Sequence, residues 1–276
     1  MRSSAGHARP ECATGDASRF YDSANTAAQY TKAGAATQRE LTQRCLTLLG
    51  PLLPVALLGD LGTGSGLSGA VLAKAGHAWL GLDVSRRMLA LALEREPSAR
   101  GAVTLADFGD GLPLRAACLD GAVSVSALQW LCVARDGRAR CATFFAALRR
   151  ALRPGAAAVL QVYPATDAEA EMLTSGASGA GFAHPLLCCD FPHPTAAKKL
   201  FLCVRRQADD DVANDSQRPE SSSSPACALA WPRRACCAAA WWQRTECDAD
   251  GRAAQNRLGE EHARCVLCCR RKRRAV

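Results

Sequence analysis

The chain has 276 residues, enough for one large domain or one domain with a tail. Its formal charge is +8, and residues 1–204 and 205–276 each carry a surplus of four positive charges, so the C-terminal part is the more basic per residue. Met1 to Asp16 holds charges and no apolar signal-peptide core, and no apolar stretch reaches transmembrane length, so the 15 cysteines are expected to be reduced thiols of an intracellular protein.

Strand-like and helix-like segments alternate up to residue 204. Ala36 to Leu49 reads as a helix and Val55 to Leu58 as a first strand. Three alternating glycines follow, then an apolar helix from Leu67 to Ala75. Ala78 to Leu82 is a second strand, and Ser85 can cap a helix running to Arg95. Ala102 to Leu105 and Asp120 to Val125 read as the third and fourth strands. Ala142 to Leu152 is helical, and Arg153-Pro154-Gly155 reads as a helix stop and turn before a fifth strand, Ala156 to Tyr163. Glu169 to Ala180 is a helix ending at Gly181, and Leu186 to Cys189 and Lys199 to Val204 are two last strands. This order predicts an α/β fold with a seven-stranded, mostly parallel sheet, helices on both faces and an antiparallel pair at one edge.

Residues 205–276 change character. Asp209-Asp210-Asp211 and Ser221 to Pro225 mark a linker, and the rest is rich in Ala, Arg, Cys and Trp without periodicity. It is read as a low-complexity basic tail, largely disordered, with Trp241-Trp242 as a candidate anchor on a partner. Arg270 to Arg274 is a phosphate-binding or nuclear-address run, or simply a solvated terminus. Cys265-Val266-Leu267-Cys268 has no second ligand pair at zinc-ribbon spacing, so no metal site is expected.

The loop after the first strand carries the strongest chemical signal. Glycines let a ligand approach the backbone, and the following helix N-terminus presents free N–H groups. Gly64-x-Gly66-x-x-Gly69, with Asp83 at 19 residues beyond Gly64, satisfies a dinucleotide fingerprint. That register leaves Asp60 and Gly62 idle. The alternative register, Asp60-x-Gly62-x-Gly64-x-Gly66, resembles the first motif of class I methyltransferases that use S-adenosylmethionine. In that register Asp83, with Val84 beside it, would accept the ribose hydroxyls, since a carboxylate can accept on both oxygens. Asp107-Phe108 falls where this class reads adenine. Taken singly, Asp83 could be a helix-flanking carboxylate and Asp107 a turn residue. Three sites at three successive strand ends favour the methyl donor.

Ser124-Val125-Ser126-Ala127-Leu128-Gln129-Trp130-Leu131-Cys132 follows the fourth strand and resembles the S-x-S-A-x-Q-W-L-C signature of the eukaryotic 18S rRNA (guanine-N7) methyltransferase family. Phe20-Tyr21-Asp22 with Tyr30, Gly62 to Gly69, Gly76-His77, Trp79 to Asp83, Val159-Leu160-Gln161 with Tyr163-Pro164, Asp190-Phe191-Pro192 and Ala197-Lys198-Lys199 resemble other stretches of that family in order and spacing. The resemblance covers residues 19–204. The family usually has Cys at the position of Thr63 and Thr at that of Ser65, and Glu-Asn after Tyr-Pro where Ala165-Thr166 stands here. Residues 205–276 depart most.

The resemblance implies a class I, Rossmann-like methyltransferase domain over 1–204, with 1–50 as an N-terminal helical cover. It implies S-adenosylmethionine held by Asp60, Gly62, Thr63, Gly64, Gly66, Asp83, Val84, Asp107, Phe108 and Ser124. Gln129, Trp130 and Tyr163 would position the guanine, with no general base required, because N7 is already a lone-pair acceptor. Core packing is the competing reading for Trp130, and His77 is read as a structural loop residue. The implied partners are 18S rRNA in the pre-40S particle and a small zinc-binding activator subunit, docking by strand addition at Ala102–Leu105. The implied place is the nucleus, with the cytoplasm as a second compartment. A small-molecule or tRNA methyltransferase, and an assembly factor whose cofactor site is structural, are the alternatives.

Overall fold

The computed structural model describes residues 11, 14–22, 24–95, 101–190, 199–208 and 264–265. Helices α1 (Ala17–Tyr21) and α2 (Ala24–Leu49) precede the sheet. Then come β1 (Leu57–Leu61), α3 (Leu67–Lys74), β2 (Ala78–Asp83), α4 (Arg86–Arg95), β3 (Gly101–Leu105) and a 3₁₀ turn at Phe108–Asp110. β4 (Leu119–Val125), α5 (Gln129–Val133), α6 (Gly137–Ala151), β5 (Leu152–Val162) and α7 (Asp167–Gly179) follow, and β6 (Leu186–Asp190) and β7 (Lys199–Arg205) complete the domain.

The strands are ordered β3-β2-β1-β4-β5-β7-β6, with a two-residue strand β8 (Arg264–Cys265) beyond β6. The first four pairings are parallel, and β5–β7 and β7–β6 are antiparallel. All seven expected strands are present, and β8 adds an eighth from the stretch read as tail, through Cys188↔Cys265. The remaining tail features, including Trp241-Trp242, Cys268 and Arg270 to Arg274, lie outside the described residues, as does the segment joining β6 to β7.

Each face of the sheet buries its own apolar cluster. One gathers Leu61, Leu82, Phe144, Phe145 and Leu148 under α6 and α7, and the other gathers Leu41, Cys45 and Leu49 of α2 with Leu58, Leu72, Trp79 and Phe201. A sheet covered on both sides accounts for the near-continuous apolar runs of its strands.

Some boundaries differ from expectation for identifiable reasons. β1 runs to Leu61 and not Leu58, because its parallel ladder with β2 continues to Leu61↔Leu82 and the buried Asp60 finds hydroxyl partners. Val55, expected in that strand, is exposed before it. Arg153-Pro154-Gly155 is an irregularity inside β5, not a turn before it: Leu119 pairs with Leu152, and the register then shifts to Gly121↔Ala157. The domain runs slightly past residue 204, where the Arg206 guanidinium donates to the Leu152 carbonyl at 2.7 Å.

Candidate active site

The carboxyl ends of β1, β2, β3 and β4 lie side by side, where ligands bind in open parallel sheets. The loop leaving β1 folds back over β2: Gly62 N and Thr63 N both donate to the Leu82 carbonyl, at 2.8 and 3.0 Å. Gly62 has φ +79°, and a Cβ there would stand 2.3 Å from the Ala127 Cβ, so both backbone and space demand glycine. Gly66 turns the chain into α3 as its N-cap.

Asp60 is fully buried under this loop. Its Oδ2 accepts from Thr63 Oγ1 and Ser68 Oγ, each at 2.6 Å. Burial pushes its carboxyl from 3.8 up to about 6, against the opposing pull of those two hydroxyls. The loop hydroxyls are therefore present to satisfy a charge beneath them.

Asp83 ends β2 with Oδ2 accepting from Gly64 N at 2.8 Å and Oδ1 from Ser85 N at 2.9 Å. Burial raises its pKa, and the backbone donors of Ser85 and Gly64 act in the opposite sense. Asp107 caps the 3₁₀ turn through Gly109 N at 2.9 Å and pairs with Arg140 of α6 at 2.6 Å. Arg140 also reaches Asp110 at 2.9 Å. Burial lowers the guanidinium pKa, but the bond to Asp107 and the carboxylate charges of Asp107, Asp110 and Asp136 outweigh it and leave the pKa raised.

These groups surround a cavity of about 360 Å³. Of the residues expected at the site, Gly62, Thr63, Gly64, Asp83, Val84, Asp107, Phe108 and Trp130 line it. Trp130 is 9% exposed, with Phe20 and Tyr21 of α1 at 5.8 and 5.7 Å between ring centroids. It thus packs against the N-terminal cover and faces the cavity at once.

Five expected site residues stand outside the cavity lining. Asp60 holds the loop from below, and Gly66 is turned into the helix start. Ser124 is buried in the sheet and donates to the Leu61 carbonyl at 2.6 Å, tying β4 to β1. Gln129 is buried, and its Nε2 donates to the Ser126 carbonyl at 2.8 Å, bracing the turn that presents Trp130. Tyr163 is held at the far side of β5 by Lys199, whose Nζ lies 3.1 Å from its hydroxyl. His77 is structural, as expected: its Nδ1 accepts from Ala56 N at 3.3 Å.

Residues outside the expected set add to the lining. Tyr21, of the Phe20-Tyr21-Asp22 segment, comes from α1 with Ser18 and the cap residue Asp16, Met88 from α4, and Arg140 from α6. The cover is tied down by Ser85 Oγ donating to Asp22 Oδ1 at 2.7 Å. Sixty-three residues separate that pair and 33 separate Arg140 from Asp107, so no local pattern announces either.

Residues 59–160 match a methyltransferase domain model. The chain is 40% identical to the mouse 18S rRNA (guanine-N7)-methyltransferase over 71% of its length and 70% of that protein. It is 33% identical to the bovine one over 92% of both chains. With the Arabidopsis thaliana relative it shares 44% identity over 67% of this chain, and the match spans 65% of that protein. Among solved structures, a Haemonchus contortus phosphoethanolamine N-methyltransferase aligns with a TM-score of 0.55 at 16% identity, over 68% of this chain and 58% of that one. The complex of the Haloferax volcanii Trm112 methyltransferase activator with a putative methyltransferase aligns at 0.51 and 18%, over 67% of this chain and 97% of that one. The chain has the class I, S-adenosylmethionine-dependent methyltransferase fold and belongs to the 18S rRNA (guanine-N7)-methyltransferase family.

Proposed function

We propose that this protein transfers a methyl group from S-adenosylmethionine to N7 of a guanine in 18S rRNA during small-subunit maturation. One observation carries the reading: the Gly62–Ser65 loop, Asp83, Asp107 and Trp130, from the ends of four adjacent strands, converge on one cavity. The chemistry of this donor set fits the cofactor. A glycine loop admits its apolar and charged parts to the backbone, Asp83 can accept from vicinal hydroxyls, and Asp107 can accept from an exocyclic amine.

The cofactor supplies a methyl already activated by sulfonium charge, and guanine N7 offers its lone pair without losing a proton. The chain's own residues are left to orient and to exclude water. Asp60 and the hydroxyls of Thr63 and Ser68 keep the loop closed. Trp130, backed by Phe20 and Tyr21, gives a flat apolar wall against which a base taken from its stack can rest. Orientation of this kind contributes roughly 7–11 kcal/mol in favourable cases.

The same reading assigns a small zinc-binding activator as partner, with the nucleus as the place of action. β3 is an edge strand, and Leu105 on it and Leu93 of the neighbouring α4 are 42% and 61% exposed. An apolar edge of this kind suits strand addition. The likeness in fold to a methyltransferase bound to its Trm112 activator supports this choice.

The test incubates the protein and activator with labelled S-adenosylmethionine and 18S rRNA and maps 7-methylguanine. Labelling lost in Asp83→Ala is the expected result. Label found on tRNA or on a small molecule, with none on 18S rRNA, would overturn the substrate. Wild-type assembly of ribosomes by an inactive Asp83→Ala variant would instead favour a scaffolding role.

A further inference from the structure

The turn after β3 is built around a single guanidinium. Arg140 Nη2 donates to Asp107 Oδ1 at 2.6 Å, and Nη1 donates to Asp110 Oδ1 at 2.9 Å, so one side chain spans both carboxylates of the 3₁₀ turn. It lies directly on the turn's middle residue: a Cβ on Gly109 would stand 2.3 Å from Arg140 Nη2 and 2.5 Å from its Cζ. The glycine is what admits the arginine. Asp107 Oδ1 also takes Gly109 N at 2.9 Å, so both acceptor directions of that oxygen are used. Oδ2 makes no hydrogen bond among the described residues, and Asp107 and Arg140 both line the cavity.

A carboxylate held by the turn's N–H alone can swing about that one bond, whereas a second donor on Oδ1, the Arg140 guanidinium, restricts the directions in which Oδ2 is presented. A fixed acceptor favours a donor such as an amine and rejects a carbonyl, which would place lone pair against lone pair. We propose that Arg140 is a positioning residue that orients the Asp107 carboxylate and so sets the preference of the cavity for a 6-amino over a 6-oxo purine. The inference rests on the cofactor reading above, since it concerns the base of that cofactor.

Calorimetric titration with S-adenosylhomocysteine and S-inosylhomocysteine tests it, because the two differ only on one edge of the base, an amine against an oxo group at C6 with N1 an acceptor in the first and a donor in the second. The wild type is expected to prefer the adenosyl compound by at least about tenfold, the scale of one hydrogen bond to a charged group. Arg140→Met is expected to erase most of that preference by weakening the adenosyl compound while shifting the inosyl compound less than about twofold. Gly109→Ala keeps the charge but displaces the guanidinium, and should reproduce the loss. Thermal unfolding without ligand confirms that both variants are folded. Equal weakening of both ligands, or an unchanged preference in both variants, would overturn the assignment. A wild type that binds neither compound would overturn the cofactor reading beneath it, an outcome distinct from unchanged selectivity.

Discussion

Replacing Asp60 by Asn should change how stability depends on pH. The folded protein holds the Asp60 proton with a pKa of about 6, against 3.8 for the free carboxyl. The folded state therefore binds the proton more tightly than the unfolded chain, so stability rises as pH falls through 6 and levels off near 4. Above pH 7 the ionised group costs about 3 kcal/mol, at about 1.4 kcal/mol per pKa unit. Between pH 7 and pH 5 the wild type should recover about 1.3 kcal/mol of this. For a structured region of this size that corresponds to a rise of about 3 °C in Tm relative to the variant. Urea unfolding of both proteins across pH 4.5–7.5, without ligand, measures the effect. Other titrating groups, including the raised Asp83, are common to both proteins and cancel to first order in the difference. Parallel curves would refute the argument, because they would mean that the carboxylate beneath the loop is not desolvated.

Gly62→Ala should destabilise the fold by about 2–4 kcal/mol, from a left-handed φ and overlap with Ala127; an unchanged urea midpoint would contradict it. Asp22→Ala removes the acceptor of Ser85 and should weaken S-adenosylhomocysteine binding about fivefold, the worth of one hydrogen bond. Unaltered affinity would show that the N-terminal cover is not coupled to the cavity. Trp130→Ala should cost about 3 kcal/mol by emptying the space beside Phe20 and Tyr21. Trp130→Phe should keep more of that stability yet impair rRNA methylation, and full activity would show that the indole serves the core alone. Leu105→Lys on the edge strand should abolish co-purification of the activator, and an intact complex would place the interface elsewhere.

The parallel sheet and the loop were legible because strands buried on both faces leave unbroken apolar runs, and glycines and acids punctuate their ends. Asp83 and Asp107 could be found this way, each at the close of such a run. Asp60 reads as a loop residue although it lies inside β1, since a carboxylate marks the end of a strand unless its partners are known. Here those partners are Thr63 and Ser68, three and eight residues on. Tyr163 follows the same end-of-strand logic, but it stands outside the cavity lining, with its hydroxyl accepting from Lys199 of β7. Gln129 reads as a substrate contact from its place in a signature; its Nε2 braces the Ser126 carbonyl, while its buried Oε1 has no hydrogen-bond partner among the described residues. Arg140 was invisible for the converse reason. Nothing near it in the chain marks it as the partner of a turn 33 residues earlier.

Trp79 occupies a space vacated by three glycines. A Cβ at Gly69, Gly81 or Gly101 would come within 2.5, 2.8 and 2.3 Å of its indole, and its Nε1 has no hydrogen-bond partner among the described residues. The last glycine of the loop motif is therefore a packing residue, and the indole it admits is dry. An indole with an unbonded N–H in an apolar box emits at short wavelength, and Trp79 pairs directly with Gly101 of the edge strand. The protein thus carries its own optical reporter beside β3. A strand laid on that edge should register as a change in the Trp79 emission, read in a protein whose other four tryptophans are replaced by Phe.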